Sequence, residues 1–122
     1  MSDEATSEQF RVVLARARSI RENFDNLGVR SQGYCKELAT ALVLACADID
    51  IFIQLCQGVC RHGGASDSHY WCVAGEKVID LSADQFDSDL PGVYVANYVL
   101  PSDTYEESSF FCLHPFRASR FL

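Results

Sequence analysis

Residues 31–80 decide the fold, and they read SQGYCKELATALVLACADIDIFIQLCQGVCRHGGASDSHYWCVAGEKVID. The stretch passes from a glycine-containing loop to an apolar helical pattern, and then to segments rich in β-branched and aromatic residues. From Cys35, apolar residues repeat at a helical spacing, and most of them are good helix formers: Leu38, Ala41, Leu42, Ala45 and Cys46. This order predicts a buried helix that begins at Cys35, ends near residues 48–50 and is followed by a sheet.

The second half of this stretch predicts three strands. Residues 51–61 form the first, since Ile51-Phe52-Ile53 opens it with residues that favour strands. A Gly-Gly loop follows at residues 62–67. Residues 68–73 and 77–81 then form a hairpin around a tight turn at Ala74-Gly75-Glu76.

The flanking segments complete the prediction. Residues 7–24 repeat apolar side chains at a helical spacing, which predicts an amphipathic packing helix. After residue 81 we expect a polar turn or short helix over 82–90, a strand over 93–99, an acidic irregular segment over 101–109 and an aromatic tail over 110–122 that docks or forms a last strand. Helices followed by an antiparallel sheet indicate an α+β fold with the N-terminal helices packed on the sheet. The length favours a single domain over residues 1–122.

Composition and charge exclude some classes of protein. A chain of 122 residues buries about two-thirds of its unfolded surface, and 48% hydrophobic against 22% charged residues is the balance of a folded domain. The net charge of −7 repels polyanions, and the arginines between residues 11 and 30 are expected on the polar side of a helix. We therefore expect no nucleic-acid partner.

Six cysteines accompany an acidic N-terminus without the basic and apolar regions of a leader. No run approaches the ~20 apolar residues of a membrane span, so no membrane association is expected. The sequence thus predicts a cytoplasmic protein whose thiols are reduced.

Cys35 is the first candidate for chemistry. At a helix start, unpaired amides and the positive end of the helix dipole lower the pKa of a thiol. The same amides can hold a carbonyl oxygen, with the backbone N–H of Cys35 as one donor and the side chain of Gln32 as a second. The alternative is a buried, inert cysteine, which is the commoner state of a free thiol.

His69 and Asp80 complete a possible site, because alternation along the strand puts His69, Trp71 and Val73 on one face. With Ala74-Gly75 as the turn, Asp80 falls directly opposite His69. With Gly75-Glu76 as the turn, it falls opposite Trp71 and diagonal to His69. Both registers put the carboxylate on the face of the imidazole, whereas a three-residue loop would move it to the other face.

This order of residues resembles a known group. Gly-x-Cys before an apolar helix, then His-x-Trp, then an apolar strand ending in Asp is similar to the transglutaminase-like branch of the papain-like cysteine enzymes, over residues 31–86. The resemblance implies a papain-like core in which Cys35 is the nucleophile, His69 its base and acid, and Asp80 the orienting group. Residues 80–86, Asp-Leu-Ser-Ala-Asp-Gln-Phe, also resemble a pattern found in small bacterial proteins.

Three departures narrow what the resemblance implies. Animal transglutaminases carry Gln-Cys-Trp where this chain has Tyr34-Cys35-Lys36, so cross-linking is not implied. Arylamine N-acetyltransferases share the order Cys, His, Asp but are much longer than this chain, so a coenzyme A-dependent reaction is not favoured. Cell-wall peptidases of the NlpC/P60 type have Asp-Cys-Ser and a second histidine that are missing here at the matching positions.

The remaining candidates bind substrate or pack. Gln32, Tyr34, Trp71 and Gln85 are the candidate oxyanion or substrate-binding residues, with packing the favoured role of Trp71 and a turn anchor the alternative for Gln85.

A zinc site could be written from Cys56, Cys60, His62 and His69. However, Cys56 and Cys60 would lie about 13 Å apart along one strand face, which is too far for one tetrahedral ion. We therefore expect no metal. No cofactor is expected either, because the chemistry of Cys35, His69 and Asp80 needs none.

Two functional hypotheses remain. The first is a thiol enzyme in which Cys35 attacks an amide or ester carbonyl of a peptide, protein or small amide substrate, with hydrolysis or deamidation favoured. The second is a catalytically silent binding or accessory protein that retains the fold and uses its aromatic C-terminal segment as the interaction surface.

Overall fold

The computed structural model describes residues 7–28, 33–61, 67–97 and 104–112. Two helices pack on a curled, five-stranded antiparallel sheet, so the chain is an α+β protein as predicted. The helices are α1, Ser7–Asn26, and α2, Cys35–Ala47. The strands are β1, Gln54–Cys60; β2, Asp67–Ala74; β3, Lys77–Asp80; β4, Tyr94–Asn97; and β5, Tyr105–Cys112, in the spatial order β4-β3-β2-β1-β5. A short 3₁₀ helix, Ala83–Gln85, follows β3.

The helices form where the apolar periodicity places them. Leu38, Leu42 and Cys46 of α2 are buried, and α1 contributes Val13 and Ala17 to the same core. That core reaches Cys72, Ala74 and Ile79 on one face of the sheet, so the helices cover this face. The predicted helix start at Cys35 is confirmed.

The β2–β3 hairpin takes the second of the two registers that the sequence left open. Ala74 lies opposite Lys77 and Val73 opposite Val78, so the turn is Gly75-Glu76. Gly75 has a φ of +61°, as the first position of a primed hairpin turn requires. Continuing the register beyond the Cys72–Ile79 pair puts Asp80 opposite Trp71 and diagonal to His69.

The sheet face away from the helices holds a second buried cluster. It contains Cys56, Cys60, Trp71, Val73, Val78 and Tyr105. By strand alternation, His69 and Asp80 belong to the same face as Trp71. Helix-facing and site-facing side chains therefore alternate along β2.

Two strand predictions are wrong in part. The first strand begins at Gln54 and not at residue 51, and Ile51 and Ile53 are buried just before it. The segment 101–109 was expected to be irregular, but β5 begins at Tyr105 and pairs antiparallel with β1. Because β5 is an edge strand, the side chain of Glu106 is exposed, and its carboxylate pairs with Arg61. An acidic sequence can therefore form a strand at this position of the sheet. Residues 98–99 of the predicted fourth strand and 113–122 of the tail lie outside the described residues.

Arg21 departs from the expected polar side of α1, since only 9% of its surface is exposed. Its guanidinium donates to both carboxylate oxygens of Asp84 at 2.9 and 2.6 Å and to Asp25 at 2.9 Å. It also donates to the backbone carbonyls of Leu81 and Gly92 at 2.8 and 3.0 Å. A single side chain thereby attaches the turn after β3 to α1.

Among the described residues, no helix combines the length and apolar character that a membrane crossing needs.

Candidate active site

His69 is the centre of the site, and its ring is fully buried near the start of β2. Nε2 of His69 lies 2.8 Å from Oδ2 of Asp80. Gly58 lies directly opposite His69 on β1, so no neighbouring side chain competes there for the space of the ring. The edge of Phe86 meets the imidazole at a centroid distance of 4.8 Å, and Trp71 stacks beside it at 6.3 Å. Aromatic packing therefore holds the ring in one orientation.

Asp80 is also buried, and its oxygens accept several hydrogen bonds. Oδ2 accepts from the hydroxyl of Tyr105 at 2.8 Å in addition to facing His69. Oδ1 accepts from the backbone N–H of Ser82 at 2.9 Å and from its hydroxyl at 3.4 Å. A carboxylate only accepts hydrogen bonds, so Nε2 of His69 must be the donor in this pair.

Cys35 is the first residue of α2 and is partly exposed. Burial raises the pKa of its thiol, but hydrogen bonds with His69 and with the backbone amides of Tyr70 and Lys36, together with the charge of His69, outweigh burial and lower this pKa. Tyr34, the residue before the helix, makes no side-chain capping bond, so the first amides of α2 are not capped by it. These are the conditions that favour a thiolate.

The same contacts act on His69 in the opposite direction. Burial lowers the pKa of the imidazole, but hydrogen bonds with Asp80 and Cys35 and the negative charges of both raise it to about 9. Cys35, His69 and Asp80 therefore form a continuous line of contacts. The roles that the sequence predicts for them, thiolate, imidazolium and orienting carboxylate, stay predictions.

Gln85 joins this line from the 3₁₀ helix. Its Nε2 lies 3.2 Å from Nδ1 of His69, and its Oε1 accepts from the backbone N–H of Gly33 at 3.2 Å. The side chain thus bridges the imidazole to the loop that precedes Cys35. The sequence predicts Gln85 to bind substrate or to anchor a turn, and its contact with the imidazole goes beyond both predictions.

The other predicted residues lie at the margins of the site. Tyr34 is 42% exposed, and its ring meets the edge of Phe24 at 5.3 Å. Trp71 is fully buried against Tyr105 at 4.9 Å, so it packs behind the site and lines no open cleft. Gln32 lies outside the described residues.

Tyr105 is a member of the site that the sequence does not predict, and Cys60 enters the sequence analysis only as part of a disfavoured zinc set. They lie opposite one another on β1 and β5. Tyr105 falls in the segment expected to be irregular, so no pattern linked it to Asp80. The alternation Cys56, Gly58, Cys60 is the one signal that could have placed Cys60 on the face of the imidazole.

Donor atoms of Cys60, His69 and Asp80 all lie within 4.8 Å of one another, so this buried cluster could hold a metal ion. This set differs from the one weighed in the sequence, and His62 of that earlier set lies outside the described residues. The imidazole and carboxylate are bonded to each other, and the carboxylate accepts from Tyr105 as well. A cation would have to break these bonds in a site where all three residues are buried, so we interpret the cluster as a proton-holding network.

Comparisons with protein-family models, with curated proteins and with solved structures found no match to this chain.

Proposed function

We propose that this chain is a cysteine-nucleophile acyl-transfer enzyme with a papain-like, transglutaminase-like core. The observation that carries the proposal is the position of His69, whose ring is hydrogen-bonded to Asp80 on one side and to the thiol of Cys35 on the other. A buried histidine with a structural role alone has no need of a partly exposed thiol at the start of a helix.

The chemistry follows from the contacts. The proton of the Cys35 thiol moves to Nδ1 of His69, and the thiolate attacks the carbonyl carbon of an amide or ester to form a C–S bond. The oxyanion accepts from the backbone N–H of Cys35 at the helix start. His69 then gives its proton to the departing amine or alcohol as the C–N or C–O bond breaks. Water, deprotonated by His69, attacks the thioester and releases the acid and the thiol.

The substrate class is a peptide, a protein or a small amide. Hydrolysis or deamidation is favoured over cross-linking, because Tyr34-Cys35-Lys36 departs from the motif of cross-linking relatives of the group it resembles. No cofactor enters this chemistry, since the side chains and water supply every proton. Cys35, Cys46 and Cys72 are present as thiols, which supports a reducing, cytoplasmic location.

Selective alkylation tests the proposal. Iodoacetamide should modify Cys35 first in the folded protein, because Cys46, Cys56, Cys60 and Cys72 are buried. The rate should remain high below the pKa of an ordinary thiol, and His69→Ala should remove this low-pH reactivity. Peptide mapping identifies the site, and Cys35→Ala is the control.

Substrate profiling with acyl probes then separates enzyme from binding protein. An acyl group transferred to Cys35 and lost again in water supports the enzyme. If the six cysteines react only after unfolding, or if His69→Ala leaves the pH profile of Cys35 unchanged, the proposal fails and the accessory-protein alternative is favoured.

A further inference from the structure

Asp80 occupies Nε2 of His69, so we infer that the thiol of Cys35 and the amide of Gln85 compete for the other ring nitrogen, Nδ1. The thiol of Cys35 is hydrogen-bonded to the ring, and Nε2 of Gln85 lies 3.2 Å from Nδ1. The other ring nitrogen, Nε2, has no freedom, because the carboxylate of Asp80 requires it to donate. The protonation state of His69 is therefore decided at Nδ1 alone.

The amide of Gln85 has one orientation that satisfies its partners. Its Oε1 accepts from the backbone N–H of Gly33, which has nothing to accept with. Turning the amide over would set its NH₂ group against that N–H, with donor facing donor. Nε2 of Gln85 must therefore point at Nδ1 of His69 as a donor, and Nδ1 must accept.

Only the neutral imidazole can accept at Nδ1. When Cys35 transfers its proton, Nδ1 gains an N–H bond and becomes a donor, so its hydrogen bond from Gln85 is lost. Asp80 and a thiolate at Cys35 favour the protonated ring and raise its pKa, whereas a hydrogen bond donated by Gln85 needs the neutral ring, so the Gln85 bond works against the shift that the other two produce. Asp80 and Gln85 act on opposite nitrogens and in opposite directions.

We propose that Gln85 is a positioning residue that opposes proton transfer from Cys35 to His69 until an arriving substrate displaces its amide from Nδ1. The proposal rests on the proposed function and adds a means of keeping the resting thiol less reactive. In the step, the S–H bond of Cys35 breaks, the N–H bond of Nδ1 forms, and the Gln85 amide turns to another acceptor, such as the substrate carbonyl.

Four other titratable side chains lie near the His69 ring in the described structure, and each belongs to a different helix or strand. They are Cys35 from α2, Cys60 from β1, Asp80 from β3 and Tyr105 from β5. A substitution at Gln85 leaves all four in place. A shift in the pH profile of such a variant therefore reports on the amide.

The first test is the pH dependence of Cys35 alkylation in Gln85→Met, which keeps the size of the side chain and removes the donor. The midpoint of the rate profile should fall by about half to one pH unit, the effect expected from losing one neutral hydrogen bond. Gln54→Met is the matched control, since Gln54 lies opposite Val73 at the other end of the strand pair and should leave the midpoint unchanged. An unchanged or raised midpoint in Gln85→Met overturns the proposal.

The second test removes the thiol, so that its outcome does not depend on catalysis. In Cys35→Ala, the ¹⁵N resonances of His69 report the pKa of the ring, and Gln85→Met in that background should raise this pKa by a similar amount. An equal or lower pKa overturns the role of Gln85, whether or not the chain is an enzyme.

A measurement on intact Gln85 covers the case in which Gln85→Met does not fold. In Cys35→Ala, the side-chain amide protons of Gln85 should shift along the titration curve of His69, because their acceptor disappears on protonation. Amide protons that stay in place as His69 titrates overturn the proposal.

Discussion

Two buried polar centres in the described part of the chain share one turn. Arg21 is the middle of the first and His69 the middle of the second. Residues 81–85 serve both, because Leu81 and Asp84 accept from Arg21 while Gln85 contacts His69. Both centres tie the segment after β3 to a helix, to α1 in the first and to the start of α2 in the second.

The difference between the centres lies in their protons. Arg21 carries a permanent charge, and hydrogen bonds with Asp84 and Asp25 raise its pKa still further. It faces fixed acceptors and has no proton to give. His69 also has a partner at each nitrogen, but the proton at Nδ1 can be present or absent. A centre built on a permanent charge stabilises the fold, whereas a centre with one movable proton beside a partly exposed thiol is suited to proton transfer.

The largest effect is expected at Arg21. Arg21→Met should lower the free energy of unfolding by about 3 kcal/mol, because Asp84 and two backbone carbonyls lose their donor. Urea unfolding measures this loss, with Arg18→Met, an exposed residue of the same helix, as the control expected within about 0.5 kcal/mol. Equal losses in both variants would remove the distinction between a structural centre and a surface charge.

The second effect concerns the pH dependence of stability in Cys35→Ala, which isolates His69 with Asp80. The pKa of His69 is higher in the folded protein than in the unfolded chain, where it is about 6.5. Such a histidine contributes its full stabilisation below pH 6.5, and this contribution is lost as the pH rises toward the pKa of the folded state. Because Asp80 still raises the pKa of His69, we expect the free energy of unfolding to fall by roughly 1–2 kcal/mol between pH 6.5 and 9.

The wild type should show less of this pH dependence. Over the same range the lowered pKa of Cys35 releases one proton on folding while His69 takes one up, so the two contributions oppose each other. Urea unfolding of both proteins at several pH values tests the comparison. A wild type as steep as Cys35→Ala would show that the two groups do not titrate together.

The third and smallest effect is that of Asp80→Asn, which keeps the shape of the carboxylate and removes its charge. The protonated imidazole loses its charged partner, so the alkylation rate of Cys35 near pH 6 should fall roughly tenfold. Asp25→Asn is the matched control, because Asp25 belongs to the Arg21 centre and should leave the rate unchanged. Equal rates for wild type and Asp80→Asn would assign Asp80 to the structural class with Arg21.

Local patterns were sufficient for part of this architecture. The apolar spacing after Cys35 placed α2, and the period of two along β2 and β3 put His69 and Asp80 on one face in either two-residue turn. The sequence is compatible with a turn at Ala74-Gly75 or at Gly75-Glu76. The strand pairing and the positive φ of Gly75 in the structure decide for the second turn. The acidic composition of residues 101–109 predicts an irregular segment, yet part of it belongs to strand β5. This edge strand is stabilised by its pairing with β1 more than by the strand propensity of its own residues.

The sequence alone determined the α+β class, the position of a thiol at a helix start and the shared face of imidazole and carboxylate, because each depends on spacing within a short segment. Only the tertiary structure decided that Tyr105 holds Asp80, that Gln85 bridges Gly33 to His69 and that Arg21 is buried. These contacts join residues between 16 and 71 positions apart, apart from the shorter one of Arg21 with Asp25. They depend on how strands and helices pack, and no local periodicity encodes that packing.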